Sequence, residues 1–248
     1  MKKLTVWKLP ELFEKQEGVC EMAEKLAIIV VVEGFSDMVS IGTLLKEYFS
    51  SSETQFVITK GDITSRDDVT PSNVITKLKA EIDKVRSRYG YQLKDLVRII
   101  HIADADGTFT KDCVVEADVT SIQYYEDHIE SSNVTATNMR NKNKAEVMFK
   151  LYSTNKINSI DYRLYFNSCN LEHVLHNALK DFSDDEKEEM SDAFAEKYKG
   201  HLPEFINFIS DQDIAVPGTY RETWKFIEKD KHSLQRHTNM HLIFDSEQ

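Results

Sequence analysis

Three acidic side chains stand just past two strongly apolar runs, and their types and spacing suggest metal chemistry. Glu33 follows the run AIIVVV (27–32) in VVEGFSD, and Asp104 and Asp106 follow LVRIIHI (96–102) in IADADG. If the two runs are neighbouring strands of an open parallel sheet, their ends share the crevice where such sheets bind ligands. Carboxylates brought that close repel one another and raise one another's pKa. A hard divalent cation, Mg²⁺ or Mn²⁺, relieves that repulsion and suits all-oxygen ligands. Gly34 and Gly107 directly after the acids would let backbone or a phosphate approach closely. Asp62, just past the run QFVITKG (55–61), could reach the same place. Asp37 reads as a helix-start residue and His101 as a core residue inside its apolar run. His173 and His176, three apart, could touch one metal but read as hydrogen-bonded structural histidines.

The elements that must position these residues have recognisable patterns. The β-branched run at 27–32 lacks alternation, as in a strand buried on both faces. Ser36 is a candidate cap for a helix carrying Met38, Ile41, Leu45 and Tyr48. Residues 70–90 read as a helix with Thr70 at the cap, Pro71 at its first position and Gly90 at its end. Residues 55–61 and 96–107 read as further strands, so strand and helix alternate over about eighty residues. That order predicts a right-handed α/β unit with a mostly parallel sheet flanked by helices. Beyond it, 121–130 and 161–168 read as strands. Helices are expected over 143–153, 170–182 (capped by Asn170), 183–200 (with a Ser183/Glu186 capping box) and in the two segments PEFINFISDQ and YRETWKFIEKD. The expected organisation is an N-terminal extension (1–24), an α/β core (25–125) and a mainly helical C-terminal part (126–248) packed on it.

The chain of 248 residues carries a formal net charge of −11, which at long range disfavours a general coating of nucleic acid. The charge is uneven. Residues 181–192 hold seven acids and one lysine, 77–94 hold six basic and two acidic residues, and 140–156 hold five basic residues and one acid. Lys60, Arg140, Lys142 and Lys144 are the candidates for binding an anionic substrate. Three separated cysteines (Cys20, Cys113, Cys169) without a CxxC pair read as reduced thiols in the cytoplasm, and no apolar run is long enough for a membrane span. There is no GxxxxGK[ST] phosphate loop, so ATP hydrolysis by this chain is not expected.

VVEGFSD followed by IADADG, with ITKG (58–61) between them, resembles the Toprim domain of topoisomerases, bacterial primases, small ribonucleases and overcoming-lysogenization-defect nucleases. The resemblance covers about residues 25–125. It implies a Toprim-like Rossmannoid core, Mg²⁺ (or Mn²⁺) held by Asp104 and Asp106, and Glu33 as general acid/base or further metal ligand. It also implies cleavage of phosphodiester bonds, with RNA or DNA as substrate. YFNSCNLEHVL (165–175) is similar to a segment of small standalone Toprim proteins of bacterial anti-phage and abortive-infection systems. That similarity makes Glu172 either a fourth carboxylate for a second metal or a helix-start acid favoured by the dipole. A toxic defence nuclease working with a separate ATPase or sensor protein is the resulting expectation, with room for a homo-oligomer. The alternatives are a catalytically silent regulatory module and phosphoryl transfer on a small nucleotide.

Overall fold

The computed structural model describes residues 26–58 and 62–245. It is an α/β fold built on a five-stranded, mostly parallel sheet with helices on both faces. The N-terminal extension and Lys60 lie outside the described residues.

The apolar run that leads to Glu33 becomes β1 (Ala27–Val32), every residue of which is buried. Its alternate side chains feed two cores. Ala27, Ile29 and Val31 pack with Val74, Leu78 and Ile82 of α2 (Val74–Tyr89), with Val147, Met148 and Leu151 of α3 (Val134–Tyr152), and with Trp224 and Ile227 of α7 (Tyr220–Ile227). Ile28, Val30 and Val32 pack on the other face with Ile41, Leu44 and Leu45 of α1 (Phe35–Tyr48), with Phe194 and Tyr198 of α5 (Asp184–Tyr198), and with Phe205 and Ile209 of α6 (Leu202–Ile209). Burial of one Val or Ile side chain is worth about 1.5–3 kcal/mol, so the five of β1 contribute on the order of 10 kcal/mol. That is enough to hold a strand end in place against repulsion between the acids beyond it.

β1 pairs in parallel with β2 (Glu53–Ile58) on one side and with β3 (Leu96–Asp104) on the other. The chain therefore leaves β1 for one edge through α1 and returns past it through α2, on the opposite face. The carboxyl ends of β1 and β3 form the switch point of the sheet, the crevice where ligands bind in this architecture. β8 (Ile160–Asn167) continues the sheet in parallel beside β3, and β7 (Lys156–Ile157) closes the edge antiparallel to it. The sheet order is β2-β1-β3-β8-β7. β8, from the second half of the chain, is thus an interior strand of the same sheet as β1, β2 and β3.

Between β3 and α3 lies a second sheet of three short strands, β4 (Val114–Glu116), β6 (Ile129–Ser131) and β5 (Gln123–Tyr124). The strand expected at 121–130 is therefore two strands joined by a turn. After β8 comes α4 (Leu171–His176), capped as expected by Asn170, whose Oδ1 accepts from the His173 N–H at 2.8 Å. The helix is shorter than the expected 170–182. It stops at Asn177, which takes the left-handed conformation, and α5 starts anew at the expected Ser183/Glu186 capping box.

Two caps differ from expectation. α1 is capped at Gly34 rather than Ser36: the Asp37 carboxylate turns back to accept the Gly34 N–H at 2.9 Å. α2 starts at Val74, not at Pro71. Thr70–Asn73 form a turn in which Asn73 Oδ1 accepts the Thr70 N–H at 2.9 Å, and that side-chain bond competes with a helical first turn. Gly90 ends α2 at φ 74, as expected of a left-handed cap.

Candidate metal centre

The structure brings Glu33, Asp104 and Asp106 to one side of the fold. They line one cleft of about 410 Å³, together with Asp37, Asp62, Glu172 and Asp181. The parallel pairing of β1 with β3 brings the strand ends side by side, and the Asp104 N–H donates to Glu33 Oε1 at 3.0 Å. At the end of β8, Asn167 lies opposite Asp104 in register, and its Nδ2 donates to Asp104 Oδ1 at 3.0 Å. Asp106 sits in a left-handed turn (φ 49) tied to the same strand end: its N–H donates to the Cys169 carbonyl at 2.9 Å. Gly107, at φ 64, is required here, because a Cβ would collide with Leu234 and crowd Ile129.

The electrostatics of the cleft are uneven. Burial, and then the charges of Asp62 and Asp104, push Glu33 well above the usual carboxylate range. Burial raises Asp104 likewise, followed by the charges of Asp37, Glu172 and Asp106. Asp37 is raised mainly by burial, despite the backbone hydrogen bonds it accepts. Asp62 behaves in the opposite way. Burial works to raise it, but the Lys144 ammonium and the hydrogen bonds from Lys144 and Thr64 hold it well below the usual range. Lys144 itself is fully buried, with Nζ donating to Asp106 Oδ2 at 2.7 Å and to Asp62 Oδ2. Burial would lower the pKa of that ammonium, but the charges of Asp106, Asp62 and Glu33 outweigh it and keep Lys144 charged.

Not every expected residue belongs to this cleft. Lys144, expected on a substrate-facing surface, is inside, because it lies on the buried stripe of α3 with Thr137, Asn141, Met148 and Leu151. Lys142 is exposed on α3 and lines a different groove, beside Phe149. Arg140 reaches the cleft only indirectly, donating to the Tyr124 hydroxyl at 2.9 Å, and Tyr124 lines the wall. Helix α2, which carries most of the basic residues of 77–94, does not line the cleft. Among the described residues the cations that do are Lys180 and Lys187, the latter 3.4 Å from Glu172. His101 is core, with Nδ1 2.8 Å from the Tyr162 hydroxyl, and His173 and His176 do not line the cleft.

Among the described residues no three His, Cys, Asp or Glu side chains are gathered into a ready-made metal cluster. Glu33, Asp37, Asp104 and Asp106 each have an oxygen engaged by a separate donor. The donor chemistry nonetheless fits a hard divalent cation. It is all carboxylate oxygen, and its Glu33–Asp104–Asp37 side carries repulsion that no cation among the described residues neutralises in direct contact. Comparison with protein-family models, with curated proteins and with solved structures finds no match for this chain. Among the described residues no helix is long and apolar enough to cross a membrane.

Proposed function

We propose that the chain is a Toprim-like nuclease that hydrolyses phosphodiester bonds with Mg²⁺ or Mn²⁺, acting as a toxic effector in anti-phage defence. The observation that carries this reading is the meeting of Glu33 and Asp104 at the sheet's switch point, in a cleft with uncompensated negative charge. Asp104, held by Asn167, and Glu33 would hold the ion, with the Asp106 oxygen not bonded to Lys144 beside them. When bound, the ion would stabilise charge developing on the phosphate and the leaving oxygen. Glu33 would either stay on the ion or, left off it, keep the raised pKa that suits it to hold and deliver a proton at a phosphodiester oxygen. Lys180 and Lys187 at the mouth would meet phosphate charge, a task that none of Arg140, Lys142 and Lys144 is placed to do directly. Phe182 and Tyr124 supply rings on the same walls, against which a base could stack.

One observation favours a second reading. Among the described residues acids outnumber lysines in the lining, seven to two, as would suit a regulatory module that holds a metal without cleaving anything. The two readings separate when purified protein is incubated with plasmid, single-stranded DNA and total RNA in Mg²⁺, Mn²⁺ or EDTA. The nuclease reading expects metal-dependent cleavage of at least one of them, reduced about 10²–10⁴-fold by Glu33→Gln, the loss ordinary for a general acid/base. Cleavage that persists in EDTA, or that Glu33→Gln leaves intact, overturns it. A metal-dependent rise in melting temperature without cleavage supports the module.

A further inference from the structure

The carboxylates of the cleft fall into two groups, and a single side chain divides them. On one side Asp62 and Asp106 share the ammonium of Lys144, whose side chain has 0% exposure. On the other side Glu33, Asp104 and Asp37 accept from the Asp104 and Gly34 N–H groups and Asn167 Nδ2, and among the described residues no ammonium forms an ion pair with them, Lys144 and Lys187 acting on them only from further off. Glu172 stands between them and solvent, paired with Lys187 at 3.4 Å. We propose that Lys144 is a built-in cation standing in for a second divalent ion, so that the cleft takes one Mg²⁺ or Mn²⁺, on its Glu33–Asp104 side. This inference rests on the metal reading above and specifies its stoichiometry.

The charge balance supports it. With every group ionised, Asp62, Asp106 and Lys144 sum to −1, and Glu172 with Lys187 sums to zero. Glu33, Asp104 and Asp37 sum to −3, so one divalent ion brings that side to −1, in line with its neighbour. A second ion would need Asp106, one of whose oxygens already accepts from Lys144 at 2.7 Å. It would also have to drive a fully buried ammonium away from both of its partners. A buried charge deprived of its partner is strongly unfavourable. Placement on α3 makes the arrangement firm. Lys144 lies in the stripe that runs from Thr137 through Asn141 to Met148 and Leu151, so its stem is packed and its ammonium is fixed where a second ion would sit.

The test is a titration of the full chain with Mn²⁺, with free ion read from its electron paramagnetic resonance signal. Wild type should bind one Mn²⁺ per chain. Lys144→Met frees Asp62 and Asp106 and should bind two, with the dipolar broadening of adjacent Mn²⁺ ions; circular dichroism checks that it is folded. If Lys144→Met does not fold, Lys144→Gln, which keeps a donor toward Asp62 and Asp106 but removes the charge, takes its place and should likewise bind two. Two ions in wild type overturn this inference while leaving the metal reading intact. No binding in wild type overturns the metal reading and this inference with it. A folded Lys144→Met chain that still binds one shows that Lys144 is a structural ion pair only, and overturns the proposal.

Discussion

Asp104→Asn should stabilise the metal-free chain and destroy its response to metal, a pair of opposite effects that few accounts of an acidic residue would share. Asn keeps the shape of Asp, and its Oδ1 can still accept from Asn167 Nδ2, a bond of 3.0 Å in the present structure. The bond from the Asp104 backbone N–H to Glu33 is untouched. What disappears is a buried charge opposed by Asp37, Glu172 and Asp106. Relief of such functional strain is commonly worth about 0.5–2 kcal/mol. In a chain of this size 1 kcal/mol moves the melting temperature about 2–4 °C, so in EDTA at pH 7.5 the variant should melt about 1–8 °C above wild type. The sign with pH follows from the raised pKa. Between the unfolded value, about 4, and the raised folded value, the native chain binds more protons than the unfolded one. Wild-type stability therefore falls as pH rises through that window, and the advantage of Asn grows with it. With Mg²⁺ at about 100 times its dissociation constant, wild type should gain about 2.7 kcal/mol, or about 5–11 °C, while the variant gains little. Differential scanning fluorimetry across pH 4–8, with EDTA or Mg²⁺, reads all of this. A variant that melts below wild type in EDTA at neutral pH, or that shifts equally with Mg²⁺, would refute the reasoning.

Two further substitutions examine the surroundings. Glu172→Gln removes a carboxylate paired with Lys187 rather than one bonded at the strand ends, so it should weaken Mn²⁺ binding by about tenfold, as outer-shell changes do; complete loss of binding in a titration would make Glu172 a direct ligand. Gly107→Ala forces a side chain into a left-handed turn and against Leu234. It should cost at least about 2 kcal/mol in thermal or urea unfolding, and an unchanged stability would mean that the Asp106–Gly107 turn is not held as described.

Much of this site could be read from the chain because two local signals agreed. The β-branched run before Glu33 and the apolar run before Asp104 are strands in the structure, and parallel pairing between them makes one cleft of two distant motifs. The Gly90 and Ser183 caps were legible because each depends on neighbours within a few residues. The interior position of β8 was not, since the pairing of Asn167 with Asp104 joins segments 63 residues apart. Asp37 was read as a helix-start acid, and it is one, but the helix it starts rises from the cleft, so the same carboxylate also lines the site. Lys144 was read as a surface lysine because it lies in the polar run RNKNKAEV. Its partners are 38 and 82 residues away. One signal was present: Thr137, Asn141, Lys144, Met148 and Leu151 follow the spacing of a buried helix stripe. A lysine on such a stripe needs an acid facing it.

Where a divalent ion sits tests the account most directly. Crystals grown with Mn²⁺ and measured for anomalous scattering should show a peak between Glu33 and Asp104, roughly 2.0–2.6 Å from oxygens of both carboxylates. Lys144 should remain on Asp62 and Asp106. A cleft without a peak, or Mn²⁺ held only by surface acids of α5 such as Asp184 and Asp185, would contradict it.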